Sequence, residues 1–176
     1  MADAATMTIK AVLLPNEIQA TLKDLTFSYT PADANDKWFY GIVNIPHNTG
    51  SVDLITGKFL ANSAGVATGT ANADITTSDK VKFLFIKNTG TTDGSSSTDE
   101  SVMLVQDGST VAHGSTNAIE ISSGHSWFGK MPNTTVGDLH AISADPDQTV
   151  GGGNVQCIVA AILDDVAYEI IWYKEW

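Results

Sequence analysis

The residues with the clearest potential for chemistry are Ser126, Asp138 and His140, which are the residue types of a hydrolase triad. Ser126 lies in the sequence Gly-His-Ser-Trp-Phe-Gly, which approaches the nucleophile elbow of α/β-hydrolases. The elbow requires glycine two residues on either side of the serine and a helix after it. Position 128 is phenylalanine, however, and no helical pattern follows. We therefore expect no catalytic residue, and a strand start that places Trp127 or Phe128 in the core.

Metal-binding residue types are present, but their spacing is not that of a known metal site. Asp138 and His140 are two residues apart and would share one face of a strand, yet two ligands do not make a transition-metal site. Carboxylates on loops could bind calcium, although none follows the EF-hand spacing, and aspartate-rich turns are usually only turns. We expect no metal and no cofactor. The calcium candidates are Asp93, Asp99, Glu100, Asp145, Asp147, Asp164 and Asp165.

The three glycines at positions 151–153 could suggest a phosphate-binding loop. They lack the following lysine and helix that such a loop requires. We expect them to form a flexible hairpin connection.

The charge balance excludes several classes of partner. The 176 residues include 20 acidic and 9 basic residues, for a net charge of -11, and every basic residue is lysine. Readers of nucleic acid and phosphate sites depend on arginine, and a strongly acidic chain is repelled by polyanions. We therefore expect no nucleic-acid partner and no contact with an anionic membrane surface.

Two sequence features bear on the compartment. The start of the chain is acidic and lacks the basic region of a signal peptide, and no stretch approaches the length of a membrane span. The single cysteine, Cys157, lies in an apolar run and is interpreted as a small buried side chain. We expect synthesis in a reducing cytoplasm.

The elements that must position these residues are short strands. Turn signals rich in Gly, Pro, Asn and Asp separate runs of strand length, and a convincing helical stripe is missing from the sequence. Residues 81–86 are apolar on both faces and predict a central strand covered on both sides. Residues 155–163 are long enough for a helix, but Val, Ile and Cys favour a strand. The other predicted strands are 37–45, 101–105, 118–121, 126–128, 139–142 and 168–176.

These patterns predict an all-β fold, a β-sandwich of jelly-roll or similar Greek-key type. Residues 1–14 are expected to be a short N-terminal arm, and residues 15–176 a single β-sandwich domain. The alternation of apolar residues changes parity between positions 18 and 29, which predicts a β-bulge near Lys23 and Asp24. Residues 89–101 contain only polar residues and glycine and are expected to be a flexible, solvated loop. Residues 61–73 could be a long loop or a weak edge strand.

The last nine residues include four aromatic side chains, which is unusual for a chain end. Such a segment is expected to dock either on the chain's own core or on another subunit. The N-terminal arm would likewise be ordered only by contact with something else. The candidate interface residues are Leu13, Leu14, Trp172, Tyr173 and Trp176.

Four segments, taken in order, resemble small virion structural proteins of tailed bacteriophages, and more narrowly capsid decoration (cement) proteins with a β-sandwich fold. They are Val-Lys-Phe-Leu-Phe-Ile-Lys-Asn-Thr-Gly at 81–90, Ala-Ile-Glu-Ile-Ser-Ser-Gly-His-Ser-Trp at 118–127, Pro-Asn-Thr-Thr-Val-Gly-Asp-Leu-His-Ala-Ile-Ser at 132–143, and Val-Gln-Cys-Ile-Val-Ala-Ala-Ile-Leu-Asp-Asp at 155–165. The resemblance covers about residues 80 to 165 and lies in the order of the segments, so no residue role is transferred.

The resemblance implies a non-enzymatic homotrimer on the capsid surface of a virion, made in the host cytoplasm. It would bind the major capsid protein lattice and stabilise the head against internal pressure. The alternative from the residues is a glycan-binding tail or fibre module, in which exposed aromatic rings stack on sugars. Trp38, Phe39 and Tyr40, or Trp127, are the candidates for that role.

Overall fold

The computed structural model describes residues 5–9, 25–29, 36–46, 51–60, 74–106, 118–131, 134–144 and 153–165. These residues form β-strands joined by turns and one short 3-10 helix, Val136–Asp138, and contain no α-helix. The predicted all-β class is therefore confirmed. The strands are β1 (Ala5–Ile9), β2 (Leu25–Tyr29), β3 (Asp36–Ile45), β4 (Val52–Asp53), β5 (Lys80–Asn88), β6 (Ser101–Val105), β7 (Ile119–Ile121), β8 (Ser126–Lys130), β9 (His140–Ala144) and β10 (Val155–Asp164).

Eight of these strands form two antiparallel sheets of four strands each. Sheet I has the order β3-β10-β5-β8, and sheet II has the order β4-β9-β6-β7. β1 pairs with β2 in a separate two-stranded sheet. The predicted sandwich is confirmed, because apolar side chains of both sheets belong to one buried cluster. Its jelly-roll or Greek-key type, and the division into an arm and one domain, stay predictions.

The centre of sheet I is made by β10 and β5, which confirms the central position predicted for residues 81–86. Val155, Cys157 and Val159 alternate on the inner face of β10 and are fully buried. Leu84 and Ile86 of β5 are also fully buried and lie opposite Ala161 and Val159 in the antiparallel register. Each such side chain contributes about 1.5–3 kcal/mol when it is removed from water, so these two strands anchor the sheet.

The core lies between the two sheets. Sheet II contributes Val102 and Leu104 of β6 and Ala141 of β9, and the turns between strands add Leu54 and Leu139. All five are fully buried. The described residues contain no helix long and apolar enough to span a membrane.

The connection that ends with the glycines at 151–153 is not a hairpin, which corrects the sequence prediction. β9 belongs to sheet II and β10 to sheet I, so this connection crosses from one sheet to the other. A run of glycines predicts a turn, but it does not reveal whether the next strand returns to the same sheet.

The polar loop at 89–101 has more structure than its composition predicts. Thr89 donates its backbone N–H to the carbonyl of Gln156, and Gln156 donates its own to the carbonyl of Thr91. A single bridge joins Thr91 to Ser97, and the exposed residues of the loop are its tip, from Asp93 to Ser97, and Asp99. Its polar side chains form hydrogen bonds within the loop, and its backbone bonds to Gln156 hold it beside β10.

Some predicted features lie outside the described residues. They are the bulge near Lys23 and Asp24, the segment 61–73, the strand 168–176, and the interface residues Leu13, Leu14, Trp172, Tyr173 and Trp176.

Candidate functional site

The candidate site is the outer edge of β3, which is the first strand of sheet I and lies at the border of that sheet. On its inner side β3 pairs along its whole length with β10, from Asp36 opposite Asp164 to Ile45 opposite Val155. No strand in the described ranges pairs with its other side, which we therefore call an open edge. We use the term β3 edge for Tyr40, Ile42 and Asn44.

The backbone N–H and C=O groups of the β3 edge point away from β10. The carbonyl oxygen of Trp38 accepts a hydrogen bond from the N–H of Leu60 at 2.8 Å, on the side opposite β10. N–H and C=O groups alternate in direction along an antiparallel strand, and the register with β10 is unbroken. The corresponding groups of Tyr40, Ile42 and Asn44 therefore also face outward, and no residue in the described part of the chain bonds to them.

Exposed apolar side chains gather at the same place. The large hydrophobic side chains that are exposed in the described ranges are Ile42 at 58%, Tyr40 at 52% and Leu60 at 42%. Tyr40 and Ile42 belong to the β3 edge, and Leu60 bonds to β3 through Trp38. Scattered exposed hydrophobic residues are ordinary on a protein surface, whereas a cluster on an open strand edge marks a contact site.

The local sequence explains the shape of β3. Tyr40, Ile42 and Asn44 occupy alternate positions and point to the outer face, while Phe39 and Ile45 point into the core. A side chain at position 41 would lie 2.7 Å from the ring of Phe39, so Gly41 leaves the space that this buried ring occupies. The side-chain amide of Gln156 donates to Asn44 Oδ1 at 3.2 Å and holds the end of the edge against β10.

The outer face of sheet I continues the apolar surface inward from the edge. Tyr40 lies beside Ala160 of β10, and Ile42 lies beside Ile158. The next strand places Phe85 beside Ala160. Ile158, Ala160 and Phe85 are half-buried, so the surface next to the edge is apolar but shallow.

The structure does not bring the hydrolase residues together. Ser126 is exposed on β8, at the opposite border of sheet I, while His140 begins β9 in sheet II. The imidazole Nδ1 of His140 contacts Asp53 Oδ1 at 3.1 Å. Asp138 Oδ2 instead accepts the hydroxyl of Thr135 at 2.7 Å. The predicted strand start is confirmed, with Trp127 packed against the core.

The shared face predicted for Asp138 and His140 is wrong. Asp138 ends the 3-10 helix, where Thr135 and Asp138 form a capping box, and the strand begins only at His140. The turn interrupts the two-residue period on which the prediction depended.

Most of the described calcium candidates have other partners. The carboxylate of Asp93 accepts hydrogen bonds from the backbone and hydroxyl groups of Ser95 and Ser96. These bonds lower the pKa of Asp93 to about 2. Asp164 pairs with Lys82 at 2.9 Å, and Asp165 pairs with Lys37.

Glu100 is a different case, because its Oε2 atom is buried and has no hydrogen-bond partner among the described residues. A single carboxylate oxygen does not make a cation site. Within the described ranges, no group of three or more His, Cys, Asp or Glu residues could hold a metal ion.

The aromatic residues considered for sugar stacking have different environments. Phe39 is buried in the core, and Trp38 is half-buried with its ring at 72° to that of Phe83 and a centroid distance of 6.5 Å. Trp127 packs against the core. Of these four candidates, Tyr40 alone presents an exposed ring.

Tyr40 is recognisable from the sequence as an aromatic strand residue, but its place on an edge strand is not. Residues 37–45 were recognised as a strand, but a strand's place in a sheet depends on distant residues that pair with it. A usable signal was present, because residues 38–46 carry no charge and end in proline. An exposed strand face in a chain this acidic would normally carry charge.

Comparison of the chain with protein-family models, with curated proteins and with solved structures found no match. The geometry of the β3 edge and the sequence resemblance are therefore the observations that bear on function.

Proposed function

We propose that this chain is a structural protein of a tailed-bacteriophage virion, a capsid decoration (cement) protein. It binds the major capsid protein lattice on the outside of the head and stabilises the shell. The observation that carries the proposal is the β3 edge, where outward-facing backbone groups and exposed apolar side chains coincide.

The β3 edge suits a protein partner in an extended conformation. A strand added to an open edge forms backbone hydrogen bonds, and alternate side chains supply the specificity. Natural edge strands are usually protected by lysine, proline or inward charges, and no charged residue occurs from Trp38 through Ile45. Such an edge favours an extended segment of another protein over a small molecule or a polyanion.

The choice of a capsid partner comes from the resemblance of residues 80–165 to decoration proteins. A sandwich that binds through the β3 edge can bridge neighbouring capsid subunits without a change in its own core. In this proposal the protein is a homotrimer on the virion surface and is made in the host cytoplasm. Trp172, Tyr173, Trp176, Leu13 and Leu14 stay predicted interface residues, and no enzymatic activity is proposed.

Binding to undecorated heads of the parent phage tests the proposal. Purified chain is titrated onto these heads, and bound protein is separated by sedimentation. We expect saturable binding with a fixed number of copies per head, and heads that release their DNA at a higher temperature. Heads that take up no chain at any concentration would contradict the capsid role.

A glycan-binding tail or fibre module is the second candidate, and the exposure of Tyr40 favours it. The ring is 52% exposed, and the exposed amide of Asn44 lies two residues along the same face. A ring and an amide so placed could stack on a sugar and bind its hydroxyl groups. A glycan array separates the two proposals, since a decoration protein is expected to give no hits.

A further inference from the structure

A buried lysine and a buried aspartate are in contact where β3 and β10 lie side by side. These are the first and last strands of sheet I in the sequence. Lys37 is on β3, opposite Leu163 of β10, and Asp165 follows directly after the end of β10. The Nζ atom of Lys37 contacts Oδ2 of Asp165. Only 4% of each side chain is exposed, so the amine and the carboxyl group are in contact out of water.

The surroundings of this pair are apolar on at least one side. The ring of Phe59, a fully buried core residue, lies 5.3 Å from Lys37 Nζ. Removing a charged amine and a charged carboxylate from water is costly, and a buried pair can reduce the cost by transferring a proton to give two neutral groups. A neutral lysine amine is a nucleophile, and a carboxylic acid is the electrophile that it can attack.

We propose that Lys37 and Asp165 join covalently through an isopeptide bond within the chain. A proton passes from the ammonium group of Lys37 to the carboxylate of Asp165. The Nζ lone pair then attacks Cγ of Asp165, and the C–O bond to the protonated oxygen breaks. That hydroxyl group takes one of the two protons left on the nitrogen and departs as water, while the other proton stays on the amide nitrogen. Ammonium and carboxylate thus become one amide and one water molecule, without an oxidant, reductant or further reactant.

The fold supplies the conditions that this condensation needs. Pairing of β3 with β10 holds the two groups in contact, which replaces a bimolecular encounter by a reaction within one molecule. Burial of both side chains keeps bulk water away. Hydrolysis of the amide is therefore disfavoured once the released water has left.

A neighbouring pair shows the contrast within the same molecule. Lys82 Nζ lies 2.9 Å from Oδ2 of Asp164, the residue before Asp165. These side chains are 28% and 19% exposed, so solvent reaches both. Solvent lowers the cost of keeping both groups charged, and this pair is expected to stay an ordinary ion pair.

The bond would close the sandwich covalently. The strands from β4 to β9, which include all of sheet II, lie between Lys37 and Asp165 in the sequence. Residues 37–165 would form a closed ring that denaturant cannot open. This consequence does not depend on the capsid role, because the pair belongs to sheet I whatever the protein binds.

Intact mass spectrometry of the denatured full-length protein tests the proposal. We expect a single species lighter than its sequence by the mass of one water molecule. Fragmentation should yield a branched peptide joined from the Lys37 side chain to Asp165. A mass equal to that of the sequence overturns the proposal, and so does a water loss that maps to another residue.

Three variants sharpen this measurement. Lys37→Arg removes the nucleophile and should restore the full sequence mass. Asp165→Asn removes the carboxylate that takes the proton from Lys37 and should likewise have its full sequence mass. The matched control Lys82→Arg changes the solvated pair and should keep the loss of one water molecule. If Lys37→Arg fails to fold, the mass of the unaltered protein still decides the question.

Discussion

The backbone N–H of Leu60 donates to the carbonyl oxygen of Trp38 at 2.8 Å, and this bond covers the beginning of the outer side of β3. At the other end of the strand, Pro46 has no N–H to offer. The open segment between them contains the outward-facing residues Tyr40, Ile42 and Asn44. A partner strand that pairs with β3 therefore has a fixed place and a short length.

Replacing Ile42 with lysine should weaken partner binding without unfolding the protein. The added charge would face the partner at the centre of the β3 edge, where desolvating it is costly. Because Ile42 is 58% exposed, we expect the free energy of unfolding to change by no more than about 0.5 kcal/mol. Sedimentation with undecorated heads should show at least about tenfold weaker binding.

The control for this variant is Ser126→Lys. Ser126 is also exposed in sheet I, but it lies on β8 at the opposite border. The Ser126→Lys variant adds the same charge and should bind as the unaltered protein does. Equal loss of binding in both variants would indicate a general charge effect and would remove the β3 edge from the proposal.

Substitution of Asn88 should lower the free energy of unfolding more than substitution of most other polar residues. Its fully buried side chain donates to the carbonyl oxygens of Glu100 at 2.8 Å and Ile121 at 3.2 Å. It also accepts the N–H of Gly90 at 2.9 Å. Asn88→Ala removes the partner of these buried and part-buried groups and should lower the free energy of unfolding by about 3 kcal/mol. Urea denaturation measures the change.

The comparison variant for Asn88 is Asn44→Ala, because Asn44 is an exposed asparagine in a strand of the same sheet. Its change should stay within about 0.5 kcal/mol. Similar costs for the two variants would mean that the hydrogen bonds of Asn88 do not hold its three neighbours together.

Asp93 should make the loop tip sensitive to acid. Backbone hydrogen bonds from Ser96 and Ser95 lower the pKa of Asp93 from 3.8 to about 2 in the folded chain. A lowered pKa stabilises the folded state at pH values above 3.8, and this contribution is lost as the pH falls through about 2. Asp93→Asn should remove that part of the pH dependence.

Titration of the Asp93 carboxyl group by NMR checks the pKa directly. Denaturation of Asp93→Asn and of the unaltered protein at several acidic pH values checks the linkage to stability. A carboxyl group that titrates at its ordinary pKa would refute the hydrogen-bonded loop tip.

Cys157 should be inert in the native protein. The thiol is fully buried in β10, and desolvation raises its pKa to about 12. Thiolate is the reactive form, so maleimide labelling at neutral pH should be slow until denaturant is added. Ser126→Cys places a second thiol on the exposed border of sheet I and should label at once. Rapid labelling of Cys157 in the unaltered protein would contradict its place in the core.

The sequence predicted what depends on local pattern. The two-sided apolar character of residues 81–86 identified β5 as a central strand, and the Val, Ile and Cys residues of 155–163 identified β10 as a strand. The short strand β4 was missed, because two residues give too little pattern to distinguish a strand from a turn. The crossing of the chain between β9 and β10 depends on pairing that no local pattern reports.

The candidate site was less accessible from sequence. Tyr40 was noticed as an aromatic residue, but its exposure depends on distant pairing. β10 pairs with one side of β3, and Leu60 bonds to part of the other side. Asp165 was considered as a calcium ligand beside Asp164. The structure instead directs these neighbours to two different lysines, one buried and one solvated. Burial of that kind is a property of the assembled sheets.

The position of β10 in the sheet order also governs how a growing chain can fold. β10 lies between β3 and β5, although both of these strands are synthesised long before it. Until β10 leaves the ribosome, β3 and β5 have no shared neighbour, and each exposes an apolar edge that can aggregate. Completion of sheet I must therefore wait until residues 155–164 have been synthesised, and a chain that stalls before residue 155 would depend on chaperones to remain soluble.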